Sequence, residues 1–384
     1  MDFQLTDEQK LLVSTIRDFA KNELADIAFP EVDTPDLMKL RISKLAQQGF
    51  LGLSIPEEYG GGGLSLLDCC LAIEEMGRHC PRSAELMLNT SIAQADFIQA
   101  LGSEEHKAKY LPKICRGELF VSIAISEPEA GSAATDLRTT AELDGNEYVL
   151  NGSKQFISMA DLADVFVVYA LFDKAARARG IGAILVEKGT PGFSLGKPEI
   201  NMAGDAQFQL FFEDCRVPAL NVLITGNAFG ALMEVYNAER LGAIARTLGI
   251  AQGALDRAIK YSQERKQFNR ELCDFQGIQW KLADMAAKLE ASRYVLYRAA
   301  CNARNGLPSE YETSVAKLVT MQAAKEVCDE AIQIFGGYGY LSEFPVEYLY
   351  RRVRGYLIAG GTMEIHRNIV ASKVLGRKIS QWKK

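Results

Sequence analysis

The chain has 384 residues, 48% hydrophobic and 24% charged, and carries a net charge of −6. That length suits roughly two to three domains with ample core, and the composition is that of an ordinary globular protein. An acidic chain without a basic stripe does not suit a nucleic-acid backbone, and no apolar run reaches the roughly 18 residues needed to span a bilayer.

The first ten residues lack both the basic start and the apolar core of a signal peptide. Thr6 followed by Gln9 reads as a capping box, so helix is expected at once. Residues 1–120 read as helix after helix. Between Asp7 and Leu24, the residues Leu11, Leu12, Ile16, Phe19 and Ala20 recur at helical spacing. The pattern returns at 36–48, from Leu66 to Met76 and from Ser83 to Ala100. The run Gly60 to Gly63 interrupts it. Such a run can cradle phosphate, but no Lys-Ser or Lys-Thr follows, so it is read as a connecting loop.

Over residues 121–225 the period changes to alternation. Asp144-Gly145 and Asn151-Gly152 are hairpin signals. They separate short strands at Leu137 to Leu143, Glu147 to Leu150 and Ser153 to Ser158, followed by Val165 to Leu171, Gly182 to Val186 and Phe208 to Phe212. Short turns predict antiparallel pairing, in a barrel or sheet domain. No βαβ alternation and no Gly-x-Gly-x-x-Gly after a strand support a dinucleotide fold.

The eight cysteines are scattered without a Cys-x-x-Cys pair, which reads as reduced thiols in a cytoplasmic protein. With three histidines, His79, His106 and His366, neither a histidine metal site nor Ser-His-Asp chemistry is expected.

Helical period dominates 226–384, broken at Glu264 to Asn269 and at Gly336 to Tyr340. The amphipathic stretch 275–305 suits an antiparallel bundle. Near the start of the 226–384 region, Leu232, Val235, Glu239, Gly242 and Ala243 share one helical face. A carboxylate on that stripe has two readings. Glu239 is either an ion-pair partner of Arg240, Arg246 or a distant residue, or a general base in a poorly solvated pocket. His366 lies beyond Glu364 on the following helix.

The order helical domain, β-domain, helical bundle, with Ser126-Glu127-Pro128-Glu129-Ala130-Gly131-Ser132, Phe156-Ile157-Ser158, Arg265-x-x-Phe268, Gln333-Ile334-Phe335-Gly336-Gly337 and Thr362 with Glu364 in succession, resembles the acyl-CoA dehydrogenase family of flavoenzymes. Ser126-Glu127-Pro128-Glu129-Ala130-Gly131-Ser132 is similar to a segment whose backbone meets the flavin and whose final serine contacts the acyl-CoA. Phe156-Ile157-Ser158 resembles the strand lying against the isoalloxazine ring. Arg265-x-x-Phe268 resembles an element that grips the FAD pyrophosphate of a neighbouring subunit, with Asn269 in place of glycine. Gln333-Ile334-Phe335-Gly336-Gly337 resembles a segment on the same shared flavin, and Thr362 with Glu364 a further FAD element.

The resemblance implies an α+β, mainly α, fold: an N-terminal helical domain (1–120), a middle β-domain (121–225) and a C-terminal four-helix bundle (226–384). It implies FAD held by Ile125, Ser126, Gly131, Ser132, Phe156, Ile157, Ser158, Arg265, Phe268, Gln276, Gln333, Phe335, Gly336, Gly337, Thr362 and Glu364. Substrate contacts are implied for Ser132, Tyr236, Asn237, Arg240 and Gly361. The reaction removes the α-hydrogen of an acyl thioester as a proton and passes the β-hydrogen to flavin as hydride. Most members read Tyr-Glu-Gly-Thr where this chain reads Ala359-Gly360-Gly361-Thr362. By this resemblance Gly360 can still give the N–H expected at the thioester oxygen but has no carboxylate to act as base. Glu239, just before Arg240, matches the branches that carry the base on the earlier helix. Asn237 and Ala133 stand where aspartate is common. The expectation is a homotetrameric dehydrogenase of short, branched or cyclic acyl-CoA, passing electrons to an electron-transfer flavoprotein or similar carrier. An enoyl-CoA reductase, a dehydrogenase of carrier-bound acyl groups and a non-enzymatic flavin-holding relative are the alternatives.

Overall fold

The computed structural model describes residues 4–30, 33–377 and 379. The chain forms two compact units, one of Met1–Arg41, Ser65–Leu88 and Arg240–Lys384, the other of Ile42–Leu64 and Asn89–Glu239. Among the described residues no helix is long and apolar enough to cross a membrane.

Among the described residues six α-helices precede the strands: α1 (Asp7–Glu23), α2 (Pro35–Gln47), α3 (Leu66–His79), α4 (Pro81–Ser91), α5 (Gln94–Leu101) and α6 (Glu104–Cys115). The capping box at Thr6 is present, its hydroxyl accepting from Gln9 N–H at 3.2 Å and the Gln9 side chain accepting from Thr6 N–H at 3.1 Å. Ile16, Phe19 and Ala20 form the buried stripe of α1, whereas Leu11 is 67% exposed and lies off it. The single helix expected from Ser83 to Ala100 is two, α4 and α5, broken at Ala93, whose backbone leaves the helical region. The glycine run is the expected loop. Its N–H groups donate to Pro56, Gly52 and Ile55 carbonyls, so they do not form a phosphate cradle.

Among the described residues nine strands build one sheet: β1 (Val121–Ala124), β2 (Thr140–Asp144), β3 (Glu147–Ser158), β4 (Val165–Leu171), β5 (Ile181–Glu187), β6 (Phe193–Leu195), β7 (Glu199–Ile200), β8 (Ala206–Pro218) and β9 (Val222–Ile224). Along it the order is β6-β8-β3-β2-β4-β5-β9, with β7 on β8 and β1 on β4. Most pairs are antiparallel, as the turns predict. The exceptions are β1 on β4, parallel with Val121 opposite Val165, and the short β2–β4 contact, which make the sheet mixed. The chain reaches β4 from β1 through the β2–β3 hairpin rather than a tight turn, which frees the direction of that pair.

Asp144-Gly145 makes the expected hairpin, with Asp144 opposite Glu147. Asn151-Gly152 does not turn. It lies within β3 at a bulge, where the register against β8 slips between Leu150 and Gly152. A Cβ on Gly152 would fall 2.6 Å from Thr139 Cα, so glycine there answers a close backbone approach rather than a reversal. One face of the sheet buries Leu150, Phe166, Val168, Ile184, Leu210 and Phe212. Strands β4 and β5 are buried along both faces, and on the second face Tyr169 meets Phe97 of α5 edge-on at 6.2 Å.

The remaining elements are α7 (Phe229–Glu264), the small hairpin β10 (Lys266–Gln267) and β11 (Arg270–Glu271), then α8 (Gln276–Cys301), α9 (Glu310–Phe335), α10 (Pro345–Tyr356) and α11 (Met363–Val374). Helix α9 packs on α8, α10 and α11, and α3 packs on both α1 and α8. Leu232, Val235 and Ala243 are buried on α7, as their shared face predicts.

Candidate functional site

In the sheet unit the 125–132 segment is held from beneath by one buried pair. Lys154 on β3 is fully buried, and its Nζ lies 2.7 Å from Glu127 Oε1 while donating to the Ile125 carbonyl at 3.2 Å. Glu127 also accepts the N–H groups of Arg138 at 2.6 Å and Thr139 at 3.1 Å. Burial pushes Lys154 down to about 8 against the pull of Glu127. Burial opposes ionisation of Glu127 too, yet Lys154 and the two N–H donors hold its carboxyl below the usual range. Above this pair Ile125 and Ser126 are half-buried, Gly131 and Ser132 exposed.

Further along β3 the register slips again between Lys154 and Ile157, a bulge that turns Phe156 outward with φ +61°. Phe156 is 56% exposed, Ile157 points into the core and Ser158 is exposed. An aromatic face carried outward on a rigid strand is what a flat ring system needs to stack on. On α7, Tyr236 leans on Phe97 at 6.5 Å, Asn237 is buried and Glu239 half-buried. Ser91 is a packing residue, accepting Leu53 N–H at 2.9 Å.

In the helical unit the turn before α11 is gripped by three side chains. Arg240 Nε donates to Gly360 O at 2.8 Å. Lys317 of α9 donates from Nζ to Ala359 O and, at 2.7 Å, to Gly361 O. His366 of α11 faces inward, fully buried, with Nε2 3.2 Å from Gly360 O and Nδ1 2.9 Å from Ser314 Oγ. Burial, with the nearby Lys317 and Arg240 charges, pushes His366 down to about 3, so the ring is neutral near neutrality. A neutral ring facing a carbonyl carries its proton on Nε2 and accepts the Ser314 hydroxyl at Nδ1. Gly360 and Gly361 both adopt positive φ, +69° and +94°. Thr362 caps α11, its Oγ1 accepting Ile365 N–H at 3.4 Å.

Arg246, named with Arg240 as an ion-pair partner for Glu239, lies instead 3.0 Å from Glu85. The Arg265 guanidinium sits 5.7 Å from the Tyr338 ring, and Arg265, Gln276, Gln333, Gly336 and Gly337 are all exposed. Phe268 is 89% exposed on the β10–β11 hairpin, and Glu364 pairs with Arg367 at 2.9 Å. Phe335 differs: its ring is buried and stacked on Tyr261 at 4.2 Å, so that side chain belongs to the core.

These residues fit FAD. Exposed Arg265 and Gln333 would offer donors to a pyrophosphate, no atom beyond the chain neighbours lies within 4 Å of a Cβ built on Gly131, Gly336 or Gly337, and Phe156 would offer a ring face. Sequence reasoning missed Lys154 and Lys317, whose burial no spacing signals, and the support that His366 gives to the Gly360 carbonyl.

Known proteins agree. Three family descriptions match in succession: "Acyl-CoA dehydrogenase, N-terminal domain" over residues 6–118, the middle domain over 122–215 and the C-terminal domain over 226–375. The acryloyl-CoA reductase (NADH) of Anaerotignum propionicum is 42% identical over 98% of this chain and 97% of its own. The structure of butyryl-CoA dehydrogenase from Megasphaera elsdenii superposes with a TM-score of 0.91 at 36% identity, covering 98% of this chain and 100% of that one. A chain in the solved structure described as the electron transferring flavoprotein of Acidaminococcus fermentans also gives a TM-score of 0.91, at 38% identity over 98% of this chain and 100% of its own. The chain belongs to the acyl-CoA dehydrogenase family and is an FAD-dependent oxidoreductase.

Proposed function

We propose that this protein interconverts a short, branched or cyclic acyl-CoA and its α,β-enoyl thioester, with Glu239 as the base at Cα. The observation that carries the reading is the turn at Gly360, which has no side chain to abstract a proton but is held rigidly by Arg240, Lys317 and His366. A rigid backbone donor suits charge that develops on a thioester oxygen. Glu239, half-buried next to Arg240, supplies the carboxylate that the turn lacks. FAD, when bound, supplies the hydride acceptor. Ser132, Tyr236, Asn237 and Gly361 complete the substrate contacts in this reading.

The resemblance to an acryloyl-CoA reductase favours a second reading, the same site run toward saturation, because proton and hydride transfers reverse with the electron partner. A dehydrogenase of carrier-bound acyl groups uses the same chemistry. We further propose three domains at 1–120, 121–225 and 226–384, a cytoplasmic homotetramer with Arg265 and Gln333 reaching a neighbour's flavin, and an electron-transfer flavoprotein as partner. The three successive family matches support the first, and the likeness to a chain in a solved structure described as an electron transferring flavoprotein supports the last.

An acyl-CoA panel tests the reading. Mixed anaerobically with the yellow protein, one saturated member should bleach the flavin. Bleaching by none, together with no oxidation of chemically reduced protein by enoyl-CoA, would end the assignment.

A further inference from the structure

Three consecutive carbonyls, those of Ala359, Gly360 and Gly361, all point at buried donors of the helical unit: Lys317, then Arg240 with His366, then Lys317 again. An extended strand alternates its carbonyls and cannot do this. The turn manages it with positive φ at both glycines. A Cβ on Gly361 would lie 3.1 Å from His366 Nε2, so the packing is close as well.

The trans peptide is planar, so each N–H points opposite the carbonyl before it. With Ala359 O drawn to Lys317, the Gly360 N–H is turned away from Lys317 and from α9. With Gly360 O drawn to Arg240 and His366, the Gly361 N–H is turned the same way. Lys317 is 2% exposed, and a buried ammonium is a costly way to fill space that a packed apolar side chain fills better. His366 supports the same carbonyl through its Nε2 and is itself oriented by Ser314.

We infer that Lys317 and His366, together with Arg240, are positioning residues: by holding three carbonyls on the bundle side they fix the Gly360 N–H where it meets the thioester oxygen of the substrate. None of the three need touch the acyl group. The inference rests on the reading of this turn as an acyl-thioester site, and it explains how a chain with glycine at this position keeps a rigid donor there.

The test compares two ligands on flavin-loaded protein by calorimetry: an enoyl-CoA thioester, which the oxidised protein does not turn over, and the matching thioether, which lacks only the carbonyl oxygen. Wild type should prefer the thioester. In Lys317→Met and in His366→Leu that preference should fall roughly tenfold while thioether affinity holds, the scale of one well-aligned hydrogen bond. His366→Gln, whose amide still donates, should keep most of the preference. A wild-type thioester-to-thioether ratio in His366→Leu would overturn the inference, and that variant decides alone if Lys317→Met fails to fold. Wild type that binds neither ligand would overturn the functional reading and this inference together. Wild type that binds both equally would overturn this inference only.

Discussion

Arg240 Nε donates to the carbonyl of Gly360 at 2.8 Å, across 120 residues of chain. The neighbour of the proposed base is thereby tied to the position where most of the family carries the base itself. In the proposed reading the helix supplies the base and the turn a backbone donor.

Glu239→Gln should keep flavin and acyl-CoA binding while slowing flavin reduction by about 10²- to 10⁴-fold, the usual loss for a positioned general base. Rapid mixing under anaerobic conditions measures it. An unchanged rate would make Glu239 an ion-pair residue and move attention to Tyr236.

Restoring the family's glutamate as Gly360→Glu in the Glu239→Gln background should recover part of the rate at a structural cost. Position 360 has φ +69°, where a side chain costs about 1–2 kcal/mol. Denaturant melts should show that loss, and an undiminished midpoint would mean the turn relaxes freely.

Arg265→Ala should release flavin and weaken subunit association in parallel, since binding linked to assembly shifts both. The side chain is exposed beside Tyr338, so the folded chain should tolerate its loss. Sedimentation at several flavin concentrations checks the coupling, and a fully flavinated monomer would contradict the shared site.

Lys154→Met should destabilise the protein by roughly 3–5 kcal/mol, because it strands the Glu127 carboxylate in a buried place. The paired change Lys154→Met with Glu127→Leu should recover part of that loss but leave the Arg138 and Thr139 N–H groups without their acceptor. A double variant no better than the single one would show that the carboxylate's bonds to backbone outweigh the pair.

Acid stability gives a further check. His366 titrates near 6.5 when unfolded and is pushed down to about 3 in the fold, so between these values the unfolded chain binds more protons. Its contribution is therefore present above about 6.5 and is lost as pH falls toward 3. Asp96 opposes this, since burial raises it from 3.8 to about 7 and its contribution is lost as pH rises through that range. The wild-type curve mixes the two, but the difference from His366→Gln does not. The variant should lose stability less steeply on acidification, by about one proton across that window. Identical slopes would mean that His366 is protonated in the fold.

Elements signalled by neighbouring residues were legible without coordinates. The capping box at Thr6 and Gln9 starts α1, Asp144-Gly145 reverses β2 into β3, and the change of period divides helices from sheet. Each depends on contacts within a few residues, and so did the breaks before Arg265 and after Phe335. The motifs that mark a flavin family are likewise strings, and they can be read in order along the chain.

Tertiary structure decided what those strings meet. Asn151-Gly152 has the composition of a turn, but Thr139 passing beneath makes it a bulge within a long strand. Leu11 has the spacing of a core residue, but the stripe of α1 that other helices cover runs through Ile16, Phe19 and Ala20. The support of Gly360 was the least visible from sequence. Lys317 and His366 stand on two different helices, and nothing in their spacing brings a lysine and a histidine to the same turn. A periodic pattern says which face of a helix is buried. It does not say which carbonyl waits on the other side, because that depends on how the helices pack and on the hydrogen bonds a buried polar group must find.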